Sequence, residues 1–159
     1  MARDLPLLLT MNSSSTAPRR AQILIVEDEQ SIRDILVELF SVLGNEVTAV
    51  ESLDHALAAL AARPYDLLLT DLRLGGRRDG GLQVMASAGL LSPDATVIVL
   101  TAYPDQDNRH ASLRLGAVHF LEKPVDLHTL ADIAARSGIS TAVRTAERPP
   151  EPSPTLSQR

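Results

Sequence analysis

The chain has 159 residues, 45% of them hydrophobic, which suits one domain with tails and is short for two domains of ordinary size. Its formal charge of -5 provides no overall basic field for phosphate backbones or anionic lipids, so direct nucleic-acid binding is not expected. Cysteine is absent, which excludes a disulfide framework and thiolate metal sites.

Residues 1–21 read as a flexible N-terminal extension. The apolar run from Leu5 to Met11 is short, contains Pro6 and follows Asp4, so it does not read as a signal peptide; a start at Met11 stays open. No stretch reaches transmembrane length, so no membrane partner is expected and a cytoplasmic location is the default.

From residue 22 to 137 the pattern is regular. Short aliphatic runs alternate with amphipathic stretches, as for parallel strands buried on both faces and joined by crossover helices. The strands are expected at Gln22 to Val26, Glu46 to Val50, Asp66 to Thr70, Thr96 to Thr101 and Val118 to Leu121. Ile32, Ile35, Leu36, Leu39, Phe40 and Leu43 repeat at helical spacing ahead of Gly44. Ser52 is an N-cap for a second helix that Pro64 stops, and a third helix follows Gly81. A fourth is expected over Asp105 to Leu115, and a fifth over Leu127 to Arg136. Five β-α units of this length predict an α/β fold with a doubly wound open sheet. Residues 138–159 are expected to be a disordered tail, most clearly the proline-rich run beyond Val143.

In such sheets ligands bind at the carboxyl ends of the strands. Glu27, Asp28 and Glu29 follow the first strand, Asp71 the third, Thr101 ends the fourth, and Glu122 and Lys123 follow the fifth. Crowded carboxylates repel unless a cation sits among them, and a hard divalent ion with oxygen ligands, best Mg2+, resolves the conflict. A cation beside Asp71, with Lys123 and Thr101 opposite, makes a pocket where a carboxylate can attack phosphorus and form an aspartyl phosphate. Taken singly, each of these residues is also a common helix start, turn or surface charge.

The motifs "ILIVEDEQSIR", "YDLLLTDLRL", "VIVLTAY" and "HFLEKP" resemble the receiver domain of bacterial two-component response regulators, of the stand-alone CheY-like type. The resemblance implies a flavodoxin-like (βα)5 three-layer sandwich with sheet order 2-1-3-4-5. It implies Asp71 as phosphoacceptor, taking its phosphoryl group from a sensor histidine kinase or a histidine phosphotransfer protein. Asp28, Asp71 and the main-chain carbonyl of Arg73 would hold Mg2+ directly, with Glu27 acting through water. Thr101 and Phe120 match the switch pair, Lys123 the phosphate-pairing lysine, and the Lys123-Pro124 bond would be cis.

This sequence departs from the family in having Glu-Asp where Asp-Asp is commoner. The loop "LRLGGRRDGG" has Gly75 in place of a proline and carries Arg77 and Arg78, read as solvated. Arg73 and Tyr103 are bulky at positions that tune phosphate loss, so slow self-hydrolysis is expected. The protein would catalyse only its own phosphorylation and dephosphorylation. Its output would pass through the fourth helix, fifth strand and fifth helix to an unknown protein target, with a homodimer left open. Ile32 is either a docking residue for the kinase or part of the core, and His55, His110, His119 and His128 lack metal-ligand spacing. Two other classes remain: an unphosphorylated interaction module, and a phosphohydrolase, against which Arg73 stands where a second acid is needed.

Overall fold

The computed structural model describes residues 19–143. Strands and helices alternate as β1 (Ala21–Val26), α1 (Gln30–Phe40), β2 (Asn45–Val50), α2 (Leu53–Ala62), β3 (Leu67–Thr70), α3 (Gly80–Leu91), β4 (Thr96–Thr101), α4 (Gln106–Arg114), β5 (Ala117–Glu122) and α5 (Leu127–Arg136). All neighbouring strands are parallel, in the order β2-β1-β3-β4-β5. This is the doubly wound (βα)5 sheet expected, with β1 and β3 flanking the switch point.

Strand side chains alternate between two cores. Ile23, Ile25, Leu67, Leu69, Ile98 and Leu100 pack with Leu36, Leu39 and Phe40 of α1 and Leu130, Ile133 and Ala134 of α5. On the other face, Leu24, Val26, Leu68, Val97 and Val99 pack with Leu53, Ala56 and Leu60 of α2 and Val84, Met85 and Ala88 of α3. Because both faces are covered, the strands read as unbroken aliphatic runs.

Local chemistry sets the boundaries. Ser52 caps α2 by accepting the His55 N–H at 3.2 Å, as expected, while Asp105 and Asp126 cap α4 and α5. β3 starts at Leu67 rather than Asp66, whose carboxylate instead accepts the Gln22 N–H and pairs with Arg19. α1 stops at Phe40, short of the apolar period that continues to Leu43, and Leu43 is 98% exposed. The side-chain amide of Asn45 takes the Phe40 carbonyl at 2.9 Å, ending the helix there.

Two domain boundaries differ from expectation. Ala21, assigned to the extension, is the first residue of β1. Residues 138–143, assigned to the disordered tail, are packed: Ile139 is buried in the α1/α5 core, and the Ala142 N–H donates to the Leu39 carbonyl at 2.7 Å. Asn45 also donates to the Ser140 carbonyl at 2.8 Å, so one amide side chain joins the end of α1 to this strap. The reason is that the last turn of α1 leaves carbonyls without helical partners, and the strap supplies a donor to Leu39 and an apolar side chain to the same core. The rest of the expected extension and tail lies outside the described residues.

Candidate functional site

β1, β3, β4 and β5 end on the same edge of the sheet and bring the predicted residues together there. Glu27 follows β1 and is buried, Asp71 follows β3 and is 7% exposed, Thr101 closes β4 fully buried, and Asp28 is exposed. The Lys123 ammonium lies 2.7 Å from Glu27 Oε2 and 2.8 Å from Asp71 Oδ2. Asp71 Oδ1 accepts the Arg73 N–H at 3.2 Å, and Thr101 Oγ1 accepts the Tyr103 N–H at 3.1 Å. The Lys123-Pro124 bond is cis.

Burial is the largest influence on Glu27 and raises its pKa above the ordinary carboxylate value, against the hydrogen bond and charge of Lys123. For Lys123 burial again comes first and works against the charge. Hydrogen bonds to Asp71 and Glu27 outweigh it, and its pKa is raised. The ammonium is therefore firmly protonated and is the cation that lets two nearly buried carboxylates sit side by side.

Oxygen atoms of Glu27, Asp28 and Asp71 come within 4.8 Å of one another, an all-oxygen set suited to a hard divalent ion. Glu27 already uses both oxygens inside the protein: Oε1 accepts the Glu29 N–H at 3.2 Å and Oε2 holds Lys123. Asp71 is engaged in the same way, Oδ1 by the Arg73 N–H and Oδ2 by Lys123, while Asp28 is exposed and its Oδ2 accepts the Gly75 N–H. Glu29 is the N-cap residue of α1.

Several residues that shape the site were given no part in it by the sequence reading. Arg33 donates to the Glu27 carbonyl at 2.8 Å and the Asp28 carbonyl at 3.3 Å, holding the turn that carries both acids. Gly75 and Gly76, at φ +57 and +81, close a two-residue hairpin in which Leu74 and Arg77 exchange both backbone hydrogen bonds. The Gly75 N–H donates to Asp28 Oδ2 at 3.1 Å, which the family's usual proline there could not do. Gly81 lets α3 press on the acceptor loop: a Cβ there would lie 2.0 Å from the Asp71 carbonyl oxygen.

Phe120 is half-buried on β5, with the Arg109 guanidinium of α4 5.6 Å from its ring centroid. Ile32 packs against the α1/α5 core and also lines an apolar pocket of about 160 Å³ with Ile35, Leu100, Pro124 and Val125. His55, His110 and His128 are exposed and His119 is half-buried, and none of them joins the acidic cluster. Arg77 and Arg78 are exposed.

The family model for the response regulator receiver domain matches residues 23–135, and the chain belongs to that family. Response regulator protein PilR of Pseudomonas aeruginosa is 36% identical over 117 residues, which are 73% of this chain and 26% of that protein. Response regulator protein FleR of the same organism is 31% identical over 119 residues, 75% of this chain and 25% of that protein. The chain thus spans about a quarter of the length of these curated relatives.

Among solved structures, a CheY-like receiver domain protein from Methanospirillum hungatei JF-1 superposes with a TM-score of 0.68 at 28% identity, covering 75% of this chain and 94% of that one. A response regulator from Burkholderia pseudomallei, solved with a phosphorylated aspartic acid and a calcium ion, gives 0.65 at 27% identity, covering 72% of this chain and 65% of that one. Family membership places the chain in phosphorylation-based two-component signalling. Among the described residues no helix is long and apolar enough to cross a membrane.

Proposed function

We propose that this domain is a cytoplasmic receiver that takes a phosphoryl group onto Asp71 from the phosphohistidine of a sensor kinase or phosphotransfer protein. The observation that carries the reading is the Lys123 ammonium lying between Glu27 and Asp71, at 2.7 and 2.8 Å. An Asp71 oxygen bonds phosphorus while the phosphorus–nitrogen bond breaks, and its electron pair leaves with the imidazole. Lys123 turns from the carboxylate to the new phosphoryl oxygens, and the Thr101 hydroxyl, buried beside them, donates to one of these oxygens. Asp28, Asp71 and the Arg73 carbonyl would hold Mg2+, with Glu27 as an outer partner, and the ion would supply further charge neutralisation. The protein then catalyses only its own phosphorylation and dephosphorylation.

The added charge biases α4, β5 and α5 through Thr101 and Phe120, and that face contacts a downstream protein. Relatives named as DNA-binding transcriptional regulators, such as NtrC of Salmonella typhimurium, offer the contrasting output.

Incubation with acetyl phosphate and Mg2+ is expected to add one phosphate by intact mass, and Asp71→Asn to abolish the addition. A wild-type protein left unmodified by both acetyl phosphate and a phosphorylated kinase domain sinks the reading.

A further inference from the structure

The three carboxylates of the site are held to different degrees. Glu27 and Asp71 are buried and share the Lys123 ammonium, whereas Asp28 is exposed on the turn after β1. Its Oδ2 accepts the Gly75 N–H at 3.1 Å, while an oxygen of the same carboxylate stays within 4.8 Å of oxygens from Glu27 and Asp71. The donor stands on a fixed base: Leu74 is buried in the core on the α2/α3 side and exchanges backbone hydrogen bonds with Arg77 at 3.1 and 3.0 Å. Between them Gly75 and Gly76 have φ +57 and +81, the two positive values that a type I′ turn requires. That turn leaves the Gly75 N–H out of the hairpin's own pair of bonds, and it reaches Asp28 instead. An exposed carboxylate without such a tether samples several rotamers, and a cation must first halt it. Donors to a metal's carboxylate ligands are typically worth about 10- to 100-fold in metal affinity.

We infer that the hairpin over Leu74 to Arg77 is a latch that positions Asp28 for a divalent ion, with the Gly75 main-chain N–H as its working contact, and that Mg2+ binding in turn fastens the hairpin. This rests on Asp28 being a metal ligand, as in the proposed function, and is independent of whether Asp71 is phosphorylated. Gly75 is a positioning residue, since it holds the ligand and does not touch the ion. A proline at this place has no N–H and cannot adopt a positive φ, so it can supply neither the donor nor the turn. The coupling is reciprocal: whatever factor the closed latch adds to Mg2+ affinity, bound Mg2+ adds to latch closure.

The test is amide hydrogen exchange followed by NMR on the full chain, without a phosphodonor, in the absence of divalent ions and at saturating Mg2+. If the closed latch favours binding about tenfold, the Gly75 amide should exchange about tenfold more slowly at saturation, while the Ala142 amide, at the opposite end of the sheet, should not change. Without metal, Asp28→Ala should free the Gly75 amide and leave the Arg77 amide as in wild type, because the acceptor of the latter lies within the hairpin. In Mg2+ titrations followed by the same spectra, Gly75→Pro should bind about tenfold more weakly. Gly75→Asn keeps the N–H and forms the preferred Asn-Gly turn, and should match wild type. A Gly75 amide whose exchange ignores either Mg2+ or Asp28→Ala overturns the latch, as does a Gly75→Pro variant that binds Mg2+ like wild type. A protein that shows the Mg2+-linked latch yet takes no phosphate from acetyl phosphate or a phosphorylated kinase domain overturns the proposed function alone.

Discussion

The two halves of the sheet are built differently. In β1 and β3 the residues nearest the acidic site are all buried, from Ile23 to Val26 and from Leu67 to Thr70. In β5 only Ala117 is buried, Val118 is 58% exposed, and Ser112 is the sole buried residue of α4. The acids thus stand on tightly packed strands, whereas Thr101 and Lys123 border a lightly packed edge. Packed interiors resist displacement and thinly packed elements open at little cost. That contrast gives the proposed response a physical basis: charge added at a rigid β1/β3 edge is relieved by movement at α4 and β5.

The largest effect expected from breaking this contrast is at Gly81, where an added Cβ meets backbone rather than a pliable side chain. Gly81→Ala should cost about 3 kcal/mol in urea unfolding, the upper end of overpacking. Gly89→Ala, in the same helix with open space around it, should stabilise by up to about 1 kcal/mol. Next, Leu68→Ala in the rigid half should cost about 3 kcal/mol, while Val118→Ala should stay within about 0.5 kcal/mol of wild type. Equal losses at the two sites would remove the contrast.

A smaller effect is expected from the strap. Ile139→Ala should cost about 2 kcal/mol, measured by the same unfolding, and Asn45→Ala about 1 kcal/mol for its hydrogen bonds. Lys123 gives a pH signature. Its raised pKa means the folded state holds the proton more tightly, so its contribution is complete below the ordinary value of 10.5 and is lost as pH rises through the folded value. Lys123→Met should lack this alkaline component in melts taken across that range without divalent ions. Ser52→Ala, loss of a single cap, should cost about 1 kcal/mol.

Much of the site was legible because its residues sit where a strand stops. Aliphatic runs mark β1, β3 and β4, and Glu27, Asp71 (after Thr70) and Thr101 are the polar residues at those ends. Lys123 follows β5 in the same way. What was not legible depends on contacts between distant segments. Gly81 marked only where a third helix would begin, yet it is the position that lets the helix touch the Asp71 backbone. Leu43 fitted the apolar period of α1 but falls beyond a helix end set by Asn45, a residue of the next strand. The strap over 138–143 was hidden because one isoleucine carries no periodicity, and only the folded apolar cluster with Leu36, Leu39 and Phe40 gives it a place.

The sequence by itself determined the doubly wound fold, through the alternation of aliphatic runs with capped amphipathic helices, and it determined which charged residues reach the functional edge. Tertiary structure alone decided how those charges are paired. Lys123, far along the chain from Glu27 and Asp71, becomes their shared counterion only when β5 has crossed the sheet to lie beside β4. Arg73 and Tyr103 become a cation-π pair only when β3 and β4 lie side by side. Strand periodicity is a local property that hydrophobic burial writes into neighbouring residues, whereas hydrogen bonds and ion pairs need atoms within about 3 Å, a proximity that only the folded chain creates.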